Sequence, residues 1–87
     1  MKFIPNVMTG KSIDSNFIRA LCIMSKDKTE GINYKEFVPD LTNAALDLIE
    51  EGYAFKIPIG EEDSNYCLTY EGIMLFERIL KYASLVM

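Results

Sequence analysis

From residue 13 onward, apolar side chains recur three or four positions apart: Ile13, Phe17, Ile18, Leu21, Cys22 and Met24. That spacing predicts an amphipathic helix. Asp14, at its start, carries the short acceptor side chain of an N-cap. The polar run "SKDKTEG" at 25–31 ends the helix, with Gly31 as a turn residue. In "INYKEF", Ile32 is expected to make a brief strand contact and Asn33 to cap a small helix through Phe37. Pro39 cannot sit comfortably inside that helix and drives Val38 out of the helical region. The chain should therefore turn at "VPD", placing Asp40 to cap a second helix over 41–51.

On a wheel of about 100° per residue, this second helix has two faces. Leu41, Ala44, Ala45, Leu48 and Ile49 fall on one side, and Thr42, Asn43, Leu46, Asp47 and Glu50 on the other. Gly52 terminates it. "YAFKI" at 53–57 alternates and is aromatic and β-branched, which predicts a strand. "PIGEEDSN" at 58–65 has loop composition, and "YCLT" at 66–69 makes a second strand. The expectation is a β-hairpin with a long acidic tip. Thr69 is placed to cap a last helix running from about residue 70 to the end. In that helix Ile73, Phe76, Ile79, Leu80 and Ala83 can face a core, leaving Met74, Leu75, Tyr82, Leu85 and Val86 in need of cover. Residues 1–12, with Pro5 and Gly10, predict an irregular N-terminal arm, so the folded domain is expected over 13–87.

Composition narrows the chemistry. Eighty-seven residues suit one domain with a thin core. Histidine is absent, which removes the commonest general base, the His-based triads and the commonest neutral metal ligand. Cys22 and Cys67 sit in apolar surroundings and are expected to be buried free thiols; their separation does not make a zinc site. "TGKS" at 9–12 ends like a phosphate-binding loop, but the required earlier glycine is Pro5. The Glu61-Glu62-Asp63 run lacks the spacing of a calcium loop. No catalytic, cofactor-binding or metal-ligating residue is expected. There is no signal-peptide pattern and no stretch long enough to span a membrane, so a cytoplasmic protein without membrane contact is expected.

The order helix, short helix, turn, amphipathic helix, hairpin, helix resembles the winged helix-turn-helix fold over about residues 13–82. "AALDLIEEGYAF" looks like the second helix of that motif running into the first wing strand in MarR- and PadR-type regulators. "YCLTYEGIMLFERI" is similar to their second wing strand and following helix, with Leu68, Thr69 and Gly72 at the matching spacing. Small phage-encoded winged-helix proteins share the compact build. The resemblance implies a small α+β fold: a three-helix core, a hairpin wing and a C-terminal helix. It also implies a DNA-contacting face on the second helix and wing, and dimerisation through the terminal helix at Met74, Leu75, Tyr82, Leu85 and Val86.

Charge changes the functional expectation. Residues 40–71 hold eight acids and one base, Lys56, while the whole chain is −4. DNA-binding faces attract phosphate with several Lys or Arg side chains. Here the matching positions are Thr42, Asn43, Leu46, Asp47 and Glu50 on the helix and Glu61, Glu62 and Asp63 on the wing. An exposed Leu46 among acids suits a protein partner better. The expectation is thus a non-enzymatic, regulatory interaction module that meets protein, or a second copy of itself. Two alternatives stand beside it. One is a DNA-binding regulator in which Thr42 and Asn43 act with Lys11, Lys26, Lys28 and Lys35. The other is an acidic mimic of DNA that occupies a basic partner's groove.

Overall fold

The computed structural model describes residues 14–86. The expected arm, Lys11 and Ile13 lie outside the described residues. Three α-helices and a three-stranded antiparallel sheet make a small α+β fold: α1 Ser15–Met24, β1 Ile32–Asn33, a 3-10 turn Tyr34–Glu36, α2 Thr42–Glu50, β2 Ala54–Gly60, β3 Asp63–Leu68 and α3 Tyr70–Val86. The strand order is β1-β3-β2, so β3 is central and β2 forms one edge. Among the described residues no helix is long and apolar enough to cross a membrane.

Local chemistry sets the helix boundaries. Asp14 accepts from the Phe17 backbone N–H at 2.9 Å and caps α1. Asn33 accepts from Lys35 N–H at 3.2 Å and caps the 3-10 turn. Asp40 does not cap α2. The cap position is Leu41, which offers no side-chain acceptor. Leu41 N–H already donates to Phe37 O at 2.7 Å, and its side chain is buried. Burial of that leucine, rather than a carboxylate, therefore sets the entry to α2. At the other end Gly52 adopts φ 87°, Gly52 N–H reaches Ile49 O at 3.1 Å, and Tyr53 N–H reaches Leu48 O at 2.9 Å. This pair of bonds satisfies carbonyls that the helix end would otherwise leave open.

The core is wholly apolar among the described residues. Phe17, Leu21 and Met24 of α1, Phe37, Leu41, Ala45 and Leu48 before and within α2, Ala54, Tyr66 and Leu68 of the sheet, and Leu75 and Ile79 of α3 meet in it. The Phe37 and Tyr66 rings lie 5.4 Å apart, tilted at 39°, a favourable aromatic arrangement.

The hairpin differs from expectation. Residues 58–65 are mostly strand, and only Glu61 and Glu62 form the turn. Pro58 pairs with Ser64 and Gly60 with Asp63, so Ile59 is an extra residue in a bulge. Proline lacks a donor and is tolerated on an edge strand or at a bulge; β2 provides both. The polar residues of β3 are fixed by side-chain bonds. Asn33 Nδ2 donates to Asp63 Oδ1 at 2.7 Å, and Asn65 Nδ2 donates to Glu30 O at 3.0 Å.

The last helix follows expectation in part: Ile79 is buried and Ile73 and Phe76 pack against the core, but Leu75 and Leu80 exchange their expected places. Gly72, Leu75 and Ile79 are buried, while Leu80 is exposed. Leu75 therefore packs into its own domain instead of awaiting a partner. Cys22 is a further correction, since its thiol is exposed whereas that of Cys67 is buried. On α1 the buried residues Phe17, Ala20, Leu21 and Met24 share one face. Cys22 is about 140° from Phe17 at about 100° per residue, which carries it off that face.

Candidate interaction surfaces

The outward side of α2 is built as the wheel predicts. Asn43, Leu46 and Glu50 are exposed, and Thr42 and Asp47 are half-buried. Leu46 keeps 43% of its surface. Toward its first turn, α2 meets the start of α1 across a small polar groove. That groove is lined by Asp14, Asn16, Phe17, Asp40, Asn43, Ala44 and Asp47. It gathers three aspartates and two asparagines, and no lysine or arginine is among the residues that line it. Such a groove repels phosphate.

Glu61 and Glu62 are exposed at the hairpin tip, whereas Asp63 is half-buried and turned back to accept from Asn33. With Tyr34, Lys56, Pro58, Gly60, Ser64 and Tyr66 these three acids line a second groove of about 450 Å³. The two grooves share no residue. The acidic positions on α2 and on the hairpin therefore form two surfaces, which sequence spacing alone does not separate.

The candidate phosphate contacts are dispersed. Lys35 lies on the 3-10 turn, with its Nζ 6.0 Å from the Tyr34 ring centre. Lys26 and Lys28 are exposed in the loop after α1. That loop crosses the face of the sheet turned away from the core, where Cys67 Sγ donates to Lys28 O at 3.4 Å.

The same loop has its own internal support. Asp27 accepts from Glu30 N–H at 2.9 Å and Thr29 N–H at 3.0 Å. Those bonds, Glu30 first and then Thr29, hold its carboxyl below the ordinary value. Burial beneath the loop pushes the Cys67 thiol up, and the nearby Asp27 charge adds to this.

On α3, Tyr70, Met74 and Leu80 are exposed and Tyr82 is half-buried. A groove beside the helix is lined by Tyr53, Tyr70, Glu71, Met74, Leu75 and Arg78. The side chains of Leu85 and Val86 lie outside the described ones. Among the described residues no three His, Cys, Asp or Glu side chains gather closely enough to hold a metal ion.

Sequence reasoning missed one surface. Phe55 and Ile57 lie on the face of the sheet away from the core, opposite Cys67 and Asn65, and Ile59 follows them in the bulge. Phe55 and Ile59 remain 44% and 53% exposed. The alternation of Phe55 and Ile57 carries the signal, and the loop composition that begins at Pro58 hides its continuation.

No family model, curated protein or solved structure matches the chain.

Proposed function

We propose that the chain is a non-enzymatic interaction module of winged-helix type, regulatory and cytoplasmic, that meets protein through α2 and the hairpin. The element order and the β1-β3-β2 sheet support the winged-helix reading. The observation that carries the functional reading is Leu46. It is a large aliphatic side chain 43% exposed on the very side of α2 that would face DNA. Its neighbours on that side, Asn43, Asp47 and Glu50, bring no positive charge. An apolar anchor ringed by polar groups is the composition of a protein contact. Phosphate recognition would need the reverse.

Affinity capture with the wild type and with Leu46→Asp tests this. Loss of the captured partner with an unchanged melting temperature supports the reading. Equal capture by both proteins removes Leu46 from it. DNA binding stays the competing reading and relies on Thr42, Asn43 and Lys35, while a DNA mimic would rely on the hairpin acids.

Self-association through α3 belongs to the same proposal. The exposed Tyr70 and Met74 and, further along α3, the half-buried Tyr82 support it. A two-fold dimer is the simplest arrangement for such a face.

A further inference from the structure

We propose that the groove beside the hairpin tip, on the core side of the sheet, receives an arginine side chain of a partner protein. This rests on the reading of the hairpin as a protein contact, and it names the group that the hairpin takes.

The strand register builds the groove. Lys56 pairs with Tyr66 and Pro58 with Ser64, on the same face as the core pair Ala54 and Leu68. Toward the tip that face runs past the core, where Lys56 and Pro58 are exposed and Ser64 is half-buried. Tyr34 adds a second aromatic ring to the lining, and Glu61, Glu62 and Asp63 join it from the tip.

Two independent observations point to a ligand. The first is Tyr66. Its ring lies 5.4 Å from that of Phe37, and the residue keeps only 7% of its surface. Its hydroxyl bonds to no described residue, yet no fully buried side-chain nitrogen or oxygen among the described residues lacks a partner. The hydroxyl is therefore open, and it opens into the groove that Tyr66 lines. A buried tyrosine usually finds a partner for its hydroxyl, and here that partner has to come through the groove.

The second observation is charge. The lining holds three carboxylates against one ammonium, that of Lys56. Asp63 already accepts from Asn33 at 2.7 Å, which leaves the exposed Glu61 and Glu62 to meet an incoming group. Lys35 stands outside the lining, with its Nζ 6.0 Å from the Tyr34 ring centre. This balance favours a cation and repels phosphate.

The mixture of acceptors and rings selects guanidinium over ammonium. A guanidinium is planar, meets a carboxylate through a fork of donors and stacks on aromatic faces. The groove supplies carboxylates at the tip, the hydroxyls of Tyr66 and Ser64 as further acceptors, and the Tyr34 ring. A lysine ammonium is more strongly hydrated and gains less from a ring.

The test is heteronuclear amide NMR of the full chain, titrated with N-acetyl-arginine methylamide. The citrulline counterpart keeps the shape and loses the charge, and the lysine counterpart keeps the charge and loses the fork. Arginine is expected to shift the amides of Glu61, Glu62, Ser64 and Tyr66, citrulline to leave them unmoved, and lysine to bind several-fold more weakly. Glu61→Gln/Glu62→Gln should weaken arginine binding by about tenfold, and Lys56→Gln should tighten it. Tyr66→Phe removes only the unbonded hydroxyl, so it should weaken binding several-fold without lowering the melting temperature. Unmoved hairpin amides with arginine, equal shifts with citrulline, or equal binding by the double glutamine variant would overturn the proposal. Equal affinity for arginine and lysine would overturn the choice of guanidinium. A Tyr66→Phe chain that melts early or binds as the wild type does would overturn the part given to the hydroxyl. Leu46→Asp is expected to bind arginine unchanged, so failure in this groove leaves the α2 contact standing, and failure of the α2 contact leaves this groove standing.

Discussion

Gly72 and Tyr53 meet so closely that a β-carbon on Gly72 would penetrate the Tyr53 carbonyl oxygen. That contact seats the first turn of α3 against the chain leaving α2. It also sets the rotation that buries Leu75 and Ile79. Inside a helix, replacing glycine by alanine ordinarily gains up to about 1 kcal/mol. Here the steric term opposes that gain and dominates. Gly72→Ala should destabilise the fold by about 2–3 kcal/mol, in the range of overpacked cores. Urea denaturation measures it; a neutral or stabilising result would show that α3 does not seat this way.

Thr69 fastens the same junction. Its hydroxyl donates to Gly52 O at 2.8 Å and accepts from Gly72 N–H at 3.1 Å, while its own N–H donates to Tyr53 O at 3.0 Å. Thr69→Ala removes a helix cap and a bond to the end of α2, at a cost of about 1–2 kcal/mol. Thr69→Ser keeps the hydroxyl and should recover most of that loss. Thermal melts of the two variants separate the hydroxyl from the methyl.

The thiols should separate by reactivity. Cys22 is exposed and Cys67 lies beneath the 25–31 loop, so Ellman's reagent near neutral pH should label one thiol quickly and the other slowly. Asp27→Ala removes the acceptor that folds the loop and should speed the slow phase. The Cys67 thiol is held above its ordinary value by burial and then by Asp27. The unfolded chain therefore loses this proton at lower pH than the native one. This contribution to stability is full below the ordinary thiol value and is lost as pH rises through the raised value. Asp27 has the opposite sign. Its depressed carboxyl favours the fold above the ordinary carboxylate range, and that contribution is lost as pH falls through the lowered value. Melting temperatures of the wild type and Asp27→Ala across pH check the acid side.

If α3 pairs two copies, Met74→Lys should give a monomer by sedimentation equilibrium at concentrations where the wild type is dimeric. Met74 is 40% exposed, so the change should leave the melting temperature nearly unaltered. A wild type that sediments as a monomer throughout would end the self-association proposal.

Much of this organisation was legible in the chain because local signals carried it. Asp14, Asn33, Gly52 and Thr69 all act where their short side chains or missing β-carbon suggest. The α2 wheel separates Leu48 from Leu46 correctly. What was not legible depends on distant partners. The 58–65 stretch has loop composition, yet Asn33 reaches across to Asp63 and holds those residues in strand. The rotation of α3 follows from Gly72 against Tyr53, a contact between segments. Leu41 displaces Asp40 from the cap because the core draws it in. The acidic balance was plain from residues 40–71, but its division into an α2 groove and a hairpin groove required the fold.

On the proposed reading, α2 and the hairpin meet protein and not DNA. The most direct measurement is fluorescence anisotropy of a labelled random duplex, titrated with the full chain at low salt, where any attraction to phosphate is strongest. No change in anisotropy is the predicted result. Binding that fades steeply as salt is raised would contradict the claim and would place the duplex on the lysines of residues 26–35.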